Sequence, residues 1–328
     1  MQRDNPVSTG IKAGHSELDV SVVLPIYQES HAIEALVPAL IEVFSRMGRS
    51  FEIIAVDDGS KDETGRTLAS LRSRHAGQLR VIQHMVNRGN GAALRSGIRA
   101  ARGEYVVTMD ADGQHSPDHI PALLAKMPPY DLVIGARTAA YAGPWYRNWA
   151  NRVYNRFAGW LSQRKIEDLT SGFRAMRREV AVHFLPLFPE GFSAPTTTTL
   201  GFLKAGYSVA FVPVEVGQRT GGTSKIRLWR DGLRFFSLIL RMIMIYDPLR
   251  IFIPTGVALA GLGTLAWVAG VVNAQRLVFP NSTIFLYTAA LLVWLLGMVS
   301  DQVSSNRVHY FGDESLVEIG PEESDRQP

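Results

Sequence analysis

The chain has 328 residues, 46 % of them hydrophobic, so it is long enough to bury a full core. It contains no cysteine, which excludes disulfide bonds and cysteine metal sites. Its 34 Lys and Arg residues and 30 Asp and Glu residues give a net charge of +4. This charge by itself points to no class of partner, and we expect no nucleic acid partner.

The first 18 residues are polar and predict a flexible leader over 1–18 that starts in the cytosol. After it, short apolar runs alternate with segments whose apolar residues recur at helical spacing. The pattern predicts strands at 20–25, 51–56, 79–84 and 105–109, and helices at 31–47, 64–74 and 91–101. Such alternation is typical of a doubly wound, mostly parallel α/β sheet, and we assign residues 19–225 to one domain of this kind.

Acidic residues follow two of the predicted strands. Asp57 and Asp58 end the second strand, and Asp110 and Asp112 follow the fourth. The carboxyl ends of parallel strands face a common crevice in which ligands bind. The sequence therefore predicts a ligand site at this edge of the sheet, with both acidic clusters beside it.

Residues 226–248 combine apolar side chains with Arg227, Arg230, Arg234 and Arg241. A basic amphipathic helix on a membrane surface has this composition, because anionic lipid head groups attract its cations. A core helix of the soluble domain is the alternative. The position of the segment directly before two long apolar runs favours the membrane surface.

Two uncharged apolar runs follow, at 251–272 and 282–300. Each can cross a hydrocarbon core of ~30 Å as a helix that rises ~1.5 Å per residue, and together they predict a transmembrane hairpin over 249–301. Arginines flank the hairpin on both sides, whereas the loop between the runs carries only Arg276. We therefore expect both termini, including the tail 302–328, in the cytoplasm. A buried helical hairpin of a soluble protein is the alternative.

Asp110-Ala111-Asp112 is the motif with the clearest chemical meaning. Two carboxylates separated by one residue can address one divalent cation, and Gln114 can add a neutral oxygen. Mg²⁺ and Mn²⁺ prefer such ligands and bridge to phosphate oxygens. The motif alone occurs by chance on many loops, so its position after a buried strand is what supports a Mg²⁺ or Mn²⁺ site. The histidines, including His84, show no metal spacing and are expected at the surface or in turns.

Two further turns lie at strand ends. Asp57 or Asp58 can accept hydrogen bonds from a nucleobase or ribose, although Asp-Asp-Gly-Ser is also an ordinary helix-capping turn. The segment 87–93 joins a strand to a helix through glycines that let the backbone approach an anion. It matches neither the P-loop pattern nor the full dinucleotide fingerprint, so it is a weak signal alone.

The order of these motifs carries more information than any one of them. Together they resemble the family 2 glycosyltransferases, which have the GT-A fold of nucleotide-diphospho-sugar transferases. The matching segments are Pro25–Glu29, Val56–Asp62, Asn87–Gly97 and Met109–His115. The segments Gly135–Arg137, Asp168–Arg174 and Arg219–Lys225, with the paired apolar runs, are similar to the branch of polyprenyl-phosphate glycosyltransferases and dolichyl-phosphate mannose synthases.

The resemblance implies a role for each matching residue. The nucleotide-sugar site would comprise Pro25, Tyr27, Glu29, Asp57, Asp58, Asn87, Gly91, Ala111 and Asp112. The metal would be held by Asp110, Asp112 and Gln114. The catalytic group would comprise Asp110, Asp112, Arg137, Arg152, Asp168, Ser171, Arg219 and Lys225, with its cations around the donor and acceptor phosphates.

Two of these assignments have alternatives. Arg147 competes with Arg152, because the spacing in this region varies within the branch. Asp168 is either a general base, as in transfer to a hydroxyl, or a structural residue of the turn before Ser171.

The reaction that the resemblance implies is an inverting transfer of one sugar from a UDP- or GDP-sugar to a polyprenyl or dolichyl phosphate. This acceptor is already anionic, so the site needs cations to offset repulsion between phosphates rather than a strong base. Its apolar tail stays in membrane lipid, which fits an integral membrane enzyme with a cytoplasmic catalytic domain. A processive polysaccharide synthase, whose Gln-x-x-Arg-Trp signature is missing here, and a non-catalytic scaffold are the alternatives. Homo-oligomerisation is left open.

Overall fold

The computed structural model describes residues 18–137, 145–188, 194–217, 243–244 and 247–312. The predicted leader, Arg219, Lys225 and most of the segment 226–248 lie outside these residues. The chain forms two compact units. The sheet unit comprises Met1–Ala142, Thr170–Pro195 and Ser208–Ser224, and the helical unit comprises Gly143–Leu169, Thr196–Tyr207 and Lys225–Pro328.

Strands and helices alternate over most of the described chain. The strands are β1 Leu18–Ile26, β2 Phe51–Asp57, β3 Leu79–Gln83, β4 Gly103–Thr108, β5 Leu132–Arg137, β6 Arg174–Arg177 and β7 Val209–Val214. The helices are α1 Ser30–Met47, α2 Thr64–Arg74, α3 Asn90–Ala100, α4 Ile120–Leu124, α5 Trp145–Ser162, α6 Arg178–His183, α7 Ala194–Lys204, α8 Leu249–Ala274 and α9 Asn281–Gly312. Short 3-10 turns lie at Pro117–His119 and Leu185–Leu187.

The strands form one sheet in the order β3-β2-β1-β4-β6-β5-β7. β6 is antiparallel to both neighbours, and the other described pairs are parallel. β1 lies between β2 and β4, so the chain first builds the sheet on one side of β1 and then returns to its other side. Where the strand order reverses in this way, a crevice forms at the carboxyl ends of the strands. The predicted doubly wound, mostly parallel sheet is confirmed.

The centre of the sheet is buried on both faces, as in parallel sheets that helices cover. In β1, the residues Val22, Val23 and Leu24 have no exposed surface. Val22 is level with Ile53 of β2 and Val107 of β4. This unbroken apolar run explains why β1 occupies the middle of the sheet and holds the loops at its end in place.

Two helices bring their N-termini to the carboxyl edge of the sheet, because they follow β1 and β3 directly. α1 buries one stripe of apolar residues, which are Ile33, Leu36, Val37, Leu40, Val43 and Phe44. It ends at Gly48, whose φ of 64° is typical of the residue that terminates a helix. α3 approaches the sheet closely at Gly97, where an added Cβ would lie 2.3 Å from Cγ1 of Val23.

α8 and α9 pack against each other as a hairpin. The indole N–H of Trp294 donates to the carbonyl of Ile253 at 3.2 Å, and the hydroxyls of Thr264 and Tyr287 are 2.9 Å apart. Of the apolar stretch within each helix, only 11 % is buried in α8 and 17 % in α9. A hairpin in the core of a soluble protein would be mostly buried, so that alternative does not hold. Both helices are long and apolar enough to cross a membrane, as predicted.

Candidate active site

Asp110 lies just after β4, at the carboxyl edge of the sheet. The hydroxyl of Thr108 donates to the carbonyl of Gly172 at 2.8 Å, which ties β4 to the segment before β6. An added Cβ on Gly172 would lie 2.7 Å from Oδ2 of Asp110. Glycine at this position therefore leaves the space that the Asp110 carboxylate occupies.

The surroundings of Asp110 raise the pKa of its carboxyl above the ordinary value. Burial is the largest cause, and the negative charge of Asp112 is the second. The amide Nδ2 of Asn90 donates to Oδ1 of Asp110 at 3.3 Å, and the charges of Arg174 and Arg137 also lower the pKa. The pKa of Asp110 is nevertheless raised, so these neighbours offset only part of the destabilisation of its charged form. A further cation beside this carboxylate would stabilise the charged form.

The donor atoms suit a hard divalent cation. Oδ1 of Asp112 accepts a hydrogen bond from the backbone N–H of Gln114 at 3.1 Å, and Ala111, which separates the two aspartates in the sequence, is buried. Within the described ranges, no three His, Cys, Asp or Glu side chains form a complete metal cage. Mg²⁺ is commonly held by one or two carboxylates and completes its coordination with water and substrate phosphates. Asp110 and Asp112, whose charges interact, suit an open site of this kind, and Gln114 as a third ligand stays a prediction.

Asp57 and Asp58 are buried, and their carboxylates accept hydrogen bonds from the loops around them. Oδ1 of Asp57 accepts from the N–H of Ser60 at 3.0 Å. Asp58 accepts from the N–H of Gly89 at 2.7 Å and from the N–H of Arg88 at 3.0 Å. These bonds match the turn in the helix-capping interpretation, but the capping itself is wrong, because α2 begins only at Thr64 and has no side-chain cap. A contact with the nucleotide stays a prediction.

His84 is a part of the site edge that sequence reasoning missed, since we expected a surface or turn residue. Its side chain is only 8 % exposed. Nδ1 lies 2.6 Å from Oδ1 of Asp58, and Nε2 lies 2.9 Å from the hydroxyl of Ser96 in α3. The contact follows from the strand register of the folded sheet, in which Asp57 pairs with Gln83 and the next residue of each strand, Asp58 and His84, lies at the same edge.

The end of β1 and the loop after it carry further residues predicted to contact the nucleotide. Pro25 is level with Val56 of β2, and Tyr27 is 42 % exposed. Gln28 has a φ of 56°, which is uncommon for a residue other than glycine, and its N–H donates to the hydroxyl of Ser60 at 3.0 Å. The loops after β1 and β2 are therefore joined, with an exposed aromatic ring beside them.

Glu29, Asn87 and Gly91 lie around the starts of α1 and α3. Glu29 directly precedes α1, Asn87 is exposed, and Gly91 is buried in the first turn of α3. An added Cβ on Gly59 would lie 2.7 Å from the backbone N of Asn87, so the loops after β2 and β3 touch. The structure thus brings the predicted nucleotide-binding residues to one edge of the sheet, while their binding role is untested.

Two arginines supply positive charge near Asp110. Arg137 ends β5, and its guanidinium donates to the hydroxyl of Thr170. Arg174 begins β6 and is buried, and its Nε donates to the carbonyl of Ser171, itself buried, at 2.7 Å. Sequence reasoning did not select Arg174 as a site residue. Its proximity to Asp110 follows from the antiparallel insertion of β6 next to β4, which no local pattern indicated.

Arg152 and Asp168 belong to the helical unit. Arg152 is exposed on α5. Asp168 is buried, in a segment that Asn155 of α5 holds: Nδ2 of Asn155 donates to the carbonyl of Glu167 at 2.7 Å, and its Oδ1 accepts from the N–H of Leu169 at 3.2 Å. The catalytic roles of both residues stay predictions.

The segment after β7 runs beside the residues that follow Asp110-Ala111-Asp112. Val216 pairs with His115, and the N–H of Gly217 donates to the carbonyl of Gln114 at 2.9 Å. A cleft of about 640 Å³ lies between this segment and α1. The predicted cations Arg219 and Lys225 follow Gly217 in the sequence and lie outside the described residues.

Comparison with known protein families shows which family the chain belongs to. The model of glycosyl transferase family 2 matches residues 21–184, which is half of the chain and contains every motif from β1 to β6. The chain belongs to glycosyl transferase family 2. A second family model, the GtrB C-terminal hairpin, matches residues 247–305, which include α8 and most of α9. The resemblance drawn from the motifs is confirmed.

Several curated family 2 proteins are similar to this chain along most of its length. An uncharacterized glycosyltransferase of Synechocystis is 31 % identical over 68 % of this chain and 70 % of that protein. A protein of Pseudomonas fluorescens named undecaprenyl-phosphate 4-deoxy-4-formamido-L-arabinose transferase is 29 % identical over 75 % of this chain and 71 % of that protein. Its namesake in Aeromonas hydrophila is 28 % identical over 74 % and 73 %, respectively.

Among solved structures, glucosyl-3-phosphoglycerate synthase from Mycobacterium tuberculosis has a similar fold. Its complex with Mn²⁺, UDP and phosphoglyceric acid has a TM-score of 0.53 at 21 % identity, covering 70 % of this chain and 78 % of that one. Its complex with Mn²⁺, UDP-glucose and phosphoglyceric acid has a TM-score of 0.52 at 22 % identity, covering 69 % and 79 %. At this identity the similarity establishes the GT-A fold alone.

Proposed function

We propose that this family 2 glycosyltransferase moves one sugar from a nucleotide-sugar to a polyprenyl phosphate and so makes a lipid-linked sugar. The observation that carries the proposal is the half-buried carboxylate of Asp110 at the carboxyl edge of the sheet, with the charges of Asp112, Arg137 and Arg174 acting on it. The relatives named undecaprenyl-phosphate transferases and the two apolar helices support a lipid acceptor.

The proposed leaving group is a nucleoside diphosphate. Its negative charge grows as the bond to the sugar breaks. Asp110, Asp112 and Gln114 would hold Mg²⁺ or Mn²⁺, which when bound neutralises part of this charge. The exposed ring of Tyr27 is suited to stack on a nucleobase. The Mn²⁺ and UDP bound to the mycobacterial synthase support a divalent ion and a UDP-sugar.

The proposed nucleophile is an oxygen of the polyprenyl phosphate. It attacks the anomeric carbon on the face opposite the diphosphate, so a carbon–oxygen bond forms as the bond to the diphosphate breaks, and the configuration is inverted. The phosphate is already ionised at neutral pH, so Asp168 need not act as a base and keeps a structural role. Arg137, Arg219 and Lys225 offset the repulsion between acceptor and donor phosphates through charge-assisted hydrogen bonds.

The proposed location is the cytoplasmic membrane, with the catalytic domain and both termini in the cytoplasm. Arg250 and Arg307 flank the α8–α9 hairpin, whereas the loop between the helices carries only Arg276. Cationic flanks of a hairpin stay on the cytoplasmic side. A polyprenyl phosphate in the same membrane can present its phosphate at that surface while its tail remains in lipid.

The test uses the full chain in nanodiscs that contain undecaprenyl phosphate. Radiolabelled UDP- and GDP-sugars, including glucose, mannose, N-acetylglucosamine and 4-deoxy-4-formamido-L-arabinose, are supplied with Mg²⁺ or with Mn²⁺. We expect label in a lipid from which mild acid releases the sugar. Label in a polymer would identify a processive synthase instead, and no transfer from any donor with either ion would overturn the proposal.

A further inference from the structure

A groove of about 340 Å³ lies between α3 and the 3-10 turn Leu185–Leu187, within the sheet unit. Positions 92, 96 and 99 of α3 follow one another at spacings of four and three residues, so their side chains share one face of the helix. The lining residues, which we call the α3 arginine groove, are Arg88, Ala92, Arg95, Ser96, Arg99, Leu185 and Pro186.

The charge of the α3 arginine groove is of one sign. Among the described residues that line it, three are arginines and none is acidic. Arg88 and Arg99 are exposed and Arg95 is half-buried, so solvent reaches these side chains. A guanidinium group matches the oxygens of a phosphate group with two parallel hydrogen bonds and is more weakly hydrated than an ammonium group. The groove is therefore suited to an anion that carries phosphate, and its volume is typical of small-molecule sites.

Two residues of the groove also belong to the hydrogen bonds around Asp58. The side chain of Arg88 lines the groove, while its backbone N–H donates to Oδ1 and Oδ2 of Asp58 at 3.0 and 3.2 Å. The hydroxyl of Ser96 lies 2.9 Å from Nε2 of His84, whose Nδ1 lies 2.6 Å from Oδ1 of Asp58. An anion held by Arg88 and Ser96 would therefore restrain the loop after β3 at two points.

We propose that the α3 arginine groove binds a phosphate-bearing anion and that the bound anion holds the loop after β3, residues 84–89, in its closed arrangement around Asp58. The site is separate from the predicted metal site, because neither Asp110 nor Asp112 lines it. The phosphate group belongs to a free phosphorylated molecule or to a lipid head group, which offer the arginines the same chemistry. An anion that binds the ordered loop more tightly than the open loop lowers the population of the open loop.

Hydrogen–deuterium exchange of the full-length protein measures this loop without turnover, so failure of the inference is distinguishable from failure of the proposed function. One sample, in nanodiscs of phosphatidylcholine, receives pyrophosphate with EDTA, which removes divalent ions from Asp110 and Asp112. A second sample, in nanodiscs that also contain phosphatidylglycerol, receives no pyrophosphate.

Two variants remove the charge of the groove. One combines Arg95→Gln with Arg99→Gln, and the other is Arg99→Glu alone, at an exposed position where the fold tolerates a change of charge. The matched control is Arg72→Gln, which removes an exposed arginine of α2 that does not line the groove.

We expect pyrophosphate, phosphatidylglycerol or both to slow exchange in peptides that cover residues 84–99 by about tenfold, in the unchanged chain and in Arg72→Gln alike. Both groove variants should lose this protection. Protection by pyrophosphate alone would support a free phosphorylated ligand, and protection by phosphatidylglycerol alone would support a lipid head group. No protection from either source would overturn the proposal, as would protection that persists in Arg99→Glu.

Discussion

At the scale of single residues, the site depends on how the Asp110 carboxylate is accommodated. Gly172 leaves room for it, Asn90 donates a hydrogen bond to it, and Arg174 and Arg137 supply positive charge nearby. Its pKa is nevertheless raised, because burial and the charge of Asp112 outweigh these contacts. A carboxylate in this condition is stabilised by a bound cation, which is the physical basis of the proposed metal site.

Asp112→Ala should reduce sugar transfer by about 10²-fold or more, a loss comparable to removing one group that stabilises developing charge. Mn²⁺ binding, followed by electron paramagnetic resonance, should weaken in parallel. Asp118→Ala is the control, because Asp118 lies in the same region but is exposed and pairs with Arg46 at 2.6 Å. Transfer by Asp112→Ala at the control rate would refute the metal role.

Gly172→Ala should weaken Mn²⁺ binding, because the added methyl would lie 2.7 Å from Oδ2 of Asp110 and displace the carboxylate. The comparison variant is Gly65→Ala in α2, where the added Cβ meets only Oδ2 of Asp57 at 3.9 Å and alanine is the better helix former. We expect a raised Mn²⁺ dissociation constant for the first variant only. Unchanged Mn²⁺ affinity in Gly172→Ala would show that this contact does not position Asp110.

Asp110→Asn should raise the melting temperature in EDTA at neutral pH, because it removes a half-buried carboxylate whose charged form is disfavoured by its surroundings. The folded pKa of Asp110 is above the unfolded value of ~3.9, so the folded state binds more protons between the two values and stability falls as pH rises through the folded pKa. The advantage of asparagine should therefore shrink as the pH is lowered towards the unfolded pKa.

Scanning fluorimetry across this pH range measures the effect. Asp118→Asn is the control of opposite sign, since the hydrogen bond from Arg46 holds the pKa of Asp118 below its ordinary value. That variant should not be stabilised at neutral pH. A lower melting temperature for Asp110→Asn in EDTA at neutral pH would contradict the account of an uncompensated carboxylate.

At the scale of elements, the loops after β1, β2 and β3 are fastened to one another and to α3. The N–H of Gln28 reaches Ser60, while Asp58 binds the backbone of the loop after β3. His84 connects Asp58 to Ser96 in the middle of α3. The edge of the sheet is thereby a preformed surface, which lowers the entropy that ligand binding must overcome.

His84→Ala should destabilise the fold by about 1–3 kcal/mol, because it leaves buried polar groups on Asp58 and Ser96 without this partner. It should also weaken nucleotide binding, since the loop that Asp58 holds would lose its anchor. Melting temperature and UDP titration measure the two effects. His75→Ala, at the end of α2 and away from this chain of hydrogen bonds, is the control. Equal behaviour of both variants would remove His84 from the site.

At the scale of the whole molecule, the chain combines an α/β sheet domain with a hairpin of two helices, α8 and α9, that are long and apolar enough to cross a membrane. α8 and α9 leave most of their apolar surface uncovered, and the contacts between them include Gly256, where an added Cβ would lie 2.1 Å from the indole nitrogen of Trp294. Close packing at small residues is typical of helices in a membrane. The hairpin is therefore suited to lipid rather than to a protein core.

Deletion of residues 249–328 should convert the protein from one that requires detergent for extraction into one that high salt releases. The apolar spans provide effectively irreversible insertion, whereas the remaining basic surfaces bind lipid through charges that salt screens. Membrane flotation with and without high salt measures this change, with the full chain as the reference. Association of the truncated protein that resists salt would show that the spans are not the main anchor.

Much of the fold could be predicted because strand and helix patterns are local. Val22 and its neighbours predict a buried strand, and Asp57 and Asp110 mark strand ends. The alternation of strands with helices then requires parallel pairing, which gathers those ends at one edge. The apolar spans depend only on length and composition. The antiparallel β6 could not be predicted, because its four residues carry no distinctive period.

By itself, the sequence determined the family, the mostly parallel sheet, the two spans of membrane-crossing length and the gathering of acidic motifs at one edge. Only the tertiary structure decided that Gly172 and Arg174 stand beside Asp110, that His84 joins Asp58 to α3, and that Trp160 meets Arg250. The reason is that these contacts link residues far apart in the chain. Strand order and helix packing set them, whereas local propensity and spacing describe only neighbours along the chain.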